Sequence, residues 1–160
     1  MNTILLATDG SPSALEATRE AIRLADELNA RLLIVGVEHV TVPAYGYYGY
    51  GEVYNDLLSG EHVHVQRVLA DAAHEAEDAD VICDTIDRTG DVVDTICDIA
   101  AQKEARLIVV GSHGWSGVRR FLFGSVSMGV LHRAPCPVLV VRAHASQPTN
   151  GQVRADAAVV

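Results

Sequence analysis

The sequence predicts an α/β fold built on a parallel sheet with helices on both faces. Two observations predict it. Short apolar runs recur along the chain and are nearly continuous rather than alternating, as strands buried on both faces must be. Between them lie segments whose apolar residues repeat at helical spacing, which gives the βαβ pattern of a doubly wound sheet. The 160 residues, 49% of them hydrophobic, are enough for one core. Residues 1–143 read as one domain and 144–160 as a disordered tail, because the tail is polar, small and aperiodic.

Residues 3–8 form the first apolar run. Asp9-Gly10-Ser11-Pro12 breaks it. Ser11 as N-cap with Pro12 behind it starts a helix. Ala14, Ala17, Ala21, Ile22, Ala25 and Leu28 then give that helix an apolar face to about Asn29. Residues 31–38 are the second strand. Residues 41–56 interrupt the pattern as a Gly/Tyr-rich insertion, read as a surface loop rather than a ligand lid. A second helix covers 57 to about 79 and carries His62, His64 and His74. His62 and His64 are two apart and point to different sides, so solvated histidines are expected there and no metal site.

Residues 81–86 are a shorter, more polar strand, expected at a sheet edge. Asp91 opens a third helix with Val92, Val93, Ile96, Ile99 and Ala100 inward. Residues 106–110 are the fourth strand. A fourth helix runs from 125 to 132, with Ser125 as a good N-cap residue, and Pro135 and Pro137 end it. Residues 138–141 are the fifth strand.

The charge balance is acidic, 21 Asp and Glu against 12 Lys and Arg. That argues against a nucleic-acid surface, which needs a basic patch. No apolar run reaches the length of a membrane span, and the N-terminus lacks the basic region of a signal peptide; a cytoplasmic protein is expected. Cys83, Cys97 and Cys136 are odd in number and lack C-x-x-C spacing. Buried thiols are expected, not disulfides or a zinc site.

The chemistry concentrates in residues 107–126. An apolar run enters Gly111-Ser112-His113-Gly114, nine residues follow, and Gly124-Ser125-Val126 opens a helix. Glycines let the backbone approach an anion, and the N–H groups and dipole of a helix start hold its charge. Three glycines at this spacing favour a phosphate site over mere turns. Ligands of open α/β sheets bind beyond the carboxyl ends of the strands, where the strand order reverses. Flavodoxin-like and Rossmann-like orders both remain open. If strands 1 and 4 are neighbours, the Asp9 and Gly111 loops face each other across one crevice. Asp9 is read two ways, as a helix-start carboxylate or as a ligand to ribose or a nucleotide-bound metal. His113 is the only histidine near this site in sequence, and Arg119-Arg120 read as surface charge. There is no G-x-x-x-x-G-K-[ST], no G-x-G-x-x-G after strand 1 and no G-x-S-x-G. P-loop, dinucleotide and α/β-hydrolase readings are therefore set aside. A phospho-accepting receiver domain needs an acidic pair after strand 1 and a lysine near the last strand; neither appears here, so that reading is rejected.

Gly111-x-x-Gly114, nine residues, Gly124-Ser125 resembles the nucleotide-binding motif of the universal stress protein family, in its ATP-binding branch. Ala7-Thr8-Asp9-Gly10-Ser11 is similar to that family's first strand and loop, and residues 135–141 to its last strand. The resemblance spans roughly residues 2–142. It implies a Rossmann-like, adenine-nucleotide alpha hydrolase-like sheet of five strands ordered 3-2-1-4-5. It implies an adenine nucleotide, ATP with Mg, in the crevice. Ala7, Asp9 and the backbone of Val37 would border the adenosine. Val110, Gly111 and Ser112 would run along ribose and phosphates, His113 and Gly114 beside the phosphates. Gly124, Ser125 and Val126 would offer backbone N–H groups. Val110 stands where the family often has Met. The resemblance further implies a homodimer through Val138 to Val141 and an unidentified protein partner. The expected role is a nucleotide-dependent regulatory module of the stress response. A slow ATP hydrolase or phosphotransferase and a nucleotide-free scaffold are the alternatives.

Overall fold

The computed structural model describes residues 2–39, 51–115 and 123–143, with side chains of the second helix described from residue 60. Five strands and four helices alternate: β1 Thr3–Ala7, α1 Pro12–Glu27, β2 Arg31–Glu38, α2 Gly51–Asp78, β3 Cys83–Thr89, α3 Val92–Gln102, β4 Leu107–Gly111, α4 Ser125–Arg133 and β5 Val138–Val141. The sheet order is β3-β2-β1-β4-β5 and every pairing is parallel. This settles the topology that the apolar runs left open.

Alternate residues of one strand feed two cores. Ile4, Leu6, Leu32, Ile34 and Val109 pack under α1 and α2. Leu5, Leu33, Val35, Ile108 and Val110 pack under α3 and α4. Both faces are covered, which is why the strands read as unbroken apolar runs. Ala17, Ala21 and Ala25 let α1 lie close to the sheet and are almost fully buried. Ser11 caps α1 as expected, its Oγ accepting from the Ala14 N–H at 3.4 Å. Asp91 caps α3, its Oδ1 accepting from the Asp94 N–H at 3.0 Å.

Three expectations need correction. α2 begins at Gly51, inside the stretch read as insertion; residues 41–50 of that stretch lie outside the described residues, as do the tail from 144 and Arg119-Arg120. β3 is an edge strand but has seven residues, not the short run expected. It pairs with β2 from Leu32 to Glu38, so backbone pairing extends it through polar positions that apolar patterning misses. Ser125 is the first residue of α4, and Gly124 holds the cap position without a side-chain cap among the described residues. The cysteines are free, Cys97 being buried and the other two half-buried. Burial pushes all three thiols up, so they stay protonated at neutral pH.

Candidate functional site

β1 and β4 are neighbours, with Ala7 level with Val110 on one side and with Val35 of β2 on the other. Beyond this level line the chains diverge and leave a crevice of about 370 Å³, within the range of small-ligand sites. All eleven residues expected at a site line it: Ala7, Asp9, Val37, Val110, Gly111, Ser112, His113, Gly114, Gly124, Ser125 and Val126.

Its first wall is the β1–α1 turn. Gly10 takes φ +73°, a conformation that favours glycine. The Asp9 Oδ1 accepts from the Ser11 N–H at 2.9 Å, an Asx turn that fixes the carboxylate at the helix start. The opposite wall is the β4–α4 loop, and hydrogen bonds stitch the two together across the sequence. The His113 N–H donates to Ser13 Oγ at 3.1 Å. Its carbonyl accepts from Ser11 Oγ at 3.1 Å and from Ser13 Oγ. The serines at the start of α1 thus hold the main chain of the loop after β4.

The start of α4 is anchored next. The Gly124 N–H donates to the Ser112 carbonyl at 2.7 Å, and Ser127 Oγ donates to the same carbonyl at 3.1 Å. The Gly124 amide is therefore engaged internally, contrary to the role expected for it. The first backbone bond of the helix runs from Met128 N–H to Gly124 carbonyl at 3.1 Å. That leaves the amides of Ser125, Val126 and Ser127 without helical partners. No acidic residue occupies the first turn, and His132 and Arg133 stand in the last, so the helix carries no carboxylate of its own against its positive N-terminal end. Apolar side chains line the same cavity: Val35, Val37, Val92, Ile96 and Val110, with Val65 and Val68 from α2. One cavity therefore offers both apolar surface and helix-start amides.

Sequence reasoning missed what α2 and the rim contribute. His113 is not the only histidine at the crevice: His39 and His64 line it too. α2 lies across the end of β2, and nothing in local spacing reveals that. The Trp115 Nε1–H donates to the Asp9 carbonyl at 2.9 Å, and His64 Nε2 lies 3.3 Å from the same oxygen. The two rings meet edge to face at 6.3 Å. Trp115, 64% exposed, thereby ties the β4 loop to the β1 loop at the rim. Its position directly after Gly114 was the available signal.

His62 turns the other way, as its spacing from His64 required, but it is not simply solvated. Its Nδ1 lies 2.5 Å from Glu38 Oε1 and 3.6 Å from Asp87 Oδ2. The hydrogen bond to Glu38 and that carboxylate's charge, with Asp87 adding, raise its pKa above the ordinary imidazole value. The charged pair is thus fully formed below that ordinary value and fades as pH rises through the raised one.

Comparison with known proteins accords with this architecture. The universal stress protein family model matches residues 1–142. A universal stress protein of Methanocaldococcus jannaschii is 36% identical over 143 residues, covering 87% of this chain and 81% of the relative. The universal stress protein UspA of Lactobacillus plantarum superposes with a TM-score of 0.79 at 29% identity, covering 88% of this chain and 97% of that one. A universal stress protein crystallised in complex with cAMP superposes with a TM-score of 0.67 at 28% identity, covering 89% and 97%. On the family match over residues 1–142 and the relative 36% identical along most of both chains, the chain belongs to the universal stress protein family.

Proposed function

We propose that the crevice binds an adenine nucleotide, ATP with Mg, and that the protein is a cytoplasmic regulatory module whose nucleotide state alters a partner. The observation that carries this reading is the presence in one cavity of apolar side chains and of the start of α4, which has no side-chain cap among the described residues. A base suits the apolar side chains, and phosphates suit the amides of Ser125, Val126 and Ser127. Asp9, which lines the same cavity, suits a ribose hydroxyl or the bound cation. The relative solved with cAMP supports an adenine ligand.

The chain has one tryptophan, and it sits on the rim of this crevice. Titrating nucleotide-stripped protein with Mg-ATP is therefore expected to change Trp115 emission saturably, near one nucleotide per subunit, with a matching calorimetric isotherm. ADP, AMP and cAMP titrated alongside rank the phosphate preference, and phosphate release from the same samples tests hydrolysis. Unchanged emission and no heat at millimolar nucleotide would sink the reading.

We further propose a homodimer through β5. It is an edge strand whose four residues, Val138–Val141, are apolar and only half-buried, and such an edge presents unpaired backbone groups to a second copy. Val141→Glu is expected to shift the sedimentation coefficient from dimer to monomer; a monomeric parent chain would refute the interface.

A further inference from the structure

We propose that Glu38, His62 and Asp87 form a binding site for a divalent first-row transition-metal cation, separate from the nucleotide crevice. Three elements converge there. Glu38 ends β2, Asp87 lies in β3 opposite Gly36, and His62 reaches down from α2. Gly36 permits the convergence. A Cβ there would stand 2.7 Å from Val65 Cγ1, so the missing side chain lets α2 settle against the sheet one turn from His62.

One donor atom from each residue lies within 4.8 Å of the others. The His62 Nδ1 is 2.5 Å from Glu38 Oε1 and 3.6 Å from Asp87 Oδ2. Donors bound to zinc at about 2.0–2.2 Å stand roughly 3.3 Å apart in a tetrahedral shell, so small side-chain adjustments make room for an ion. The set of one imidazole and two carboxylates, with no thiolate, suits Zn²⁺, Mn²⁺ or Fe²⁺ rather than Cu⁺. It leaves at least one position for water.

A second observation points to a missing positive charge. Glu38 is 8% exposed. Asp87 Oδ1 is the one buried side-chain oxygen or nitrogen without a hydrogen-bond partner among the described residues. A buried acceptor left unpaired costs free energy, and two neighbouring carboxylates facing one imidazole are undercompensated. The outer partners are already in place. Gln66 Nε2–H donates to Asp87 Oδ2 at 2.6 Å and Thr89 Oγ1–H to Glu38 Oε2 at 3.4 Å. Such partners orient ligands and hold carboxylates ready for a cation. The half-exposed His62 side is the entry path. The rival arrangement is a plain ion pair between His62 and Glu38, which takes up no metal.

The test uses the full, nucleotide-free chain with Zn²⁺ alone. Calorimetry is expected to give one saturable equivalent per chain, and ¹⁵N NMR of the unmutated protein is expected to show the His62 Nδ1 resonance moving with the same isotherm. Glu38→Gln and Asp87→Asn, both isosteric, are expected to weaken uptake by about tenfold or more. His74→Ala, on the exposed side of α2, should leave it within about twofold. No saturable uptake would overturn the proposal, as would uptake that shifts other histidines and leaves His62 still, or affinity unchanged in both carboxamide variants. Because the NMR observes the unmutated chain, its outcome decides the matter even where a variant fails to fold.

Discussion

Gly124→Val is expected to weaken Mg-ATP binding by about a hundredfold while the protein remains folded. The amides proposed to hold phosphate follow directly on this residue, and their aim depends on how tightly its backbone sits on the β4 loop. A Cβ at Gly124 would stand 3.3 Å from the Ser112 carbonyl oxygen and 3.4 Å from the His113 Cα. Both are backbone atoms, so a branched side chain must push the start of α4 away from the loop that anchors it. Its φ of −74° is open to any residue, so no backbone strain is added. Charge-assisted hydrogen bonds contribute about 1.5–3 kcal/mol each, and every 1.4 kcal/mol is tenfold in affinity. Loss of one or two therefore gives the stated factor. Calorimetry on the variant checks it beside a thermal melt; affinity within threefold of the parent would remove α4 from the site.

Gly111→Val should do the opposite, lowering stability by about 3 kcal/mol or more through overpacking against backbone. A Cβ there would stand 2.7 Å from Ser13 Oγ, 2.8 Å from the Ala14 nitrogen and 2.8 Å from the Ser13 carbonyl carbon. The first turn of α1 cannot yield as a flexible side chain would, so helix and strand must separate. For a chain this size each kcal/mol moves the melting temperature by about 2–4 °C, and a domain holds only some 5–15 kcal/mol in all. Denaturant unfolding without nucleotide measures the effect. A variant of parental stability that has lost only nucleotide affinity would show that Gly111 serves the ligand directly.

These two residues belong to one sequence motif and answer to different physics. Gly111 is glycine because α1 packs on it. Gly114 faces a short carboxylate, with a Cβ there 2.8 Å from Asp9 Oδ2. Gly124 is small because the loop crosses beneath the helix start. A motif records that the backbone must come close; it does not record to what.

Element order, the two-faced burial of the strands and the crevice residues from β1 and β4 were all legible along the chain. Those properties follow from local periodicity and from turn chemistry such as Ser11-Pro12. The family motif added the strand order, which periodicity left open. The crossing of α2 over the end of β2 was not legible and emerges only in the folded chain. That placement brings His64 to Asp9 and Trp115, and His62 to Glu38 and Asp87. Residues far apart in sequence meet there because Gly36 lets a helix lie close, and proximity of that kind has no period to read. The engaged amide of Gly124 was hidden for the same reason: its partner, Ser112, meets it only when the loop closes.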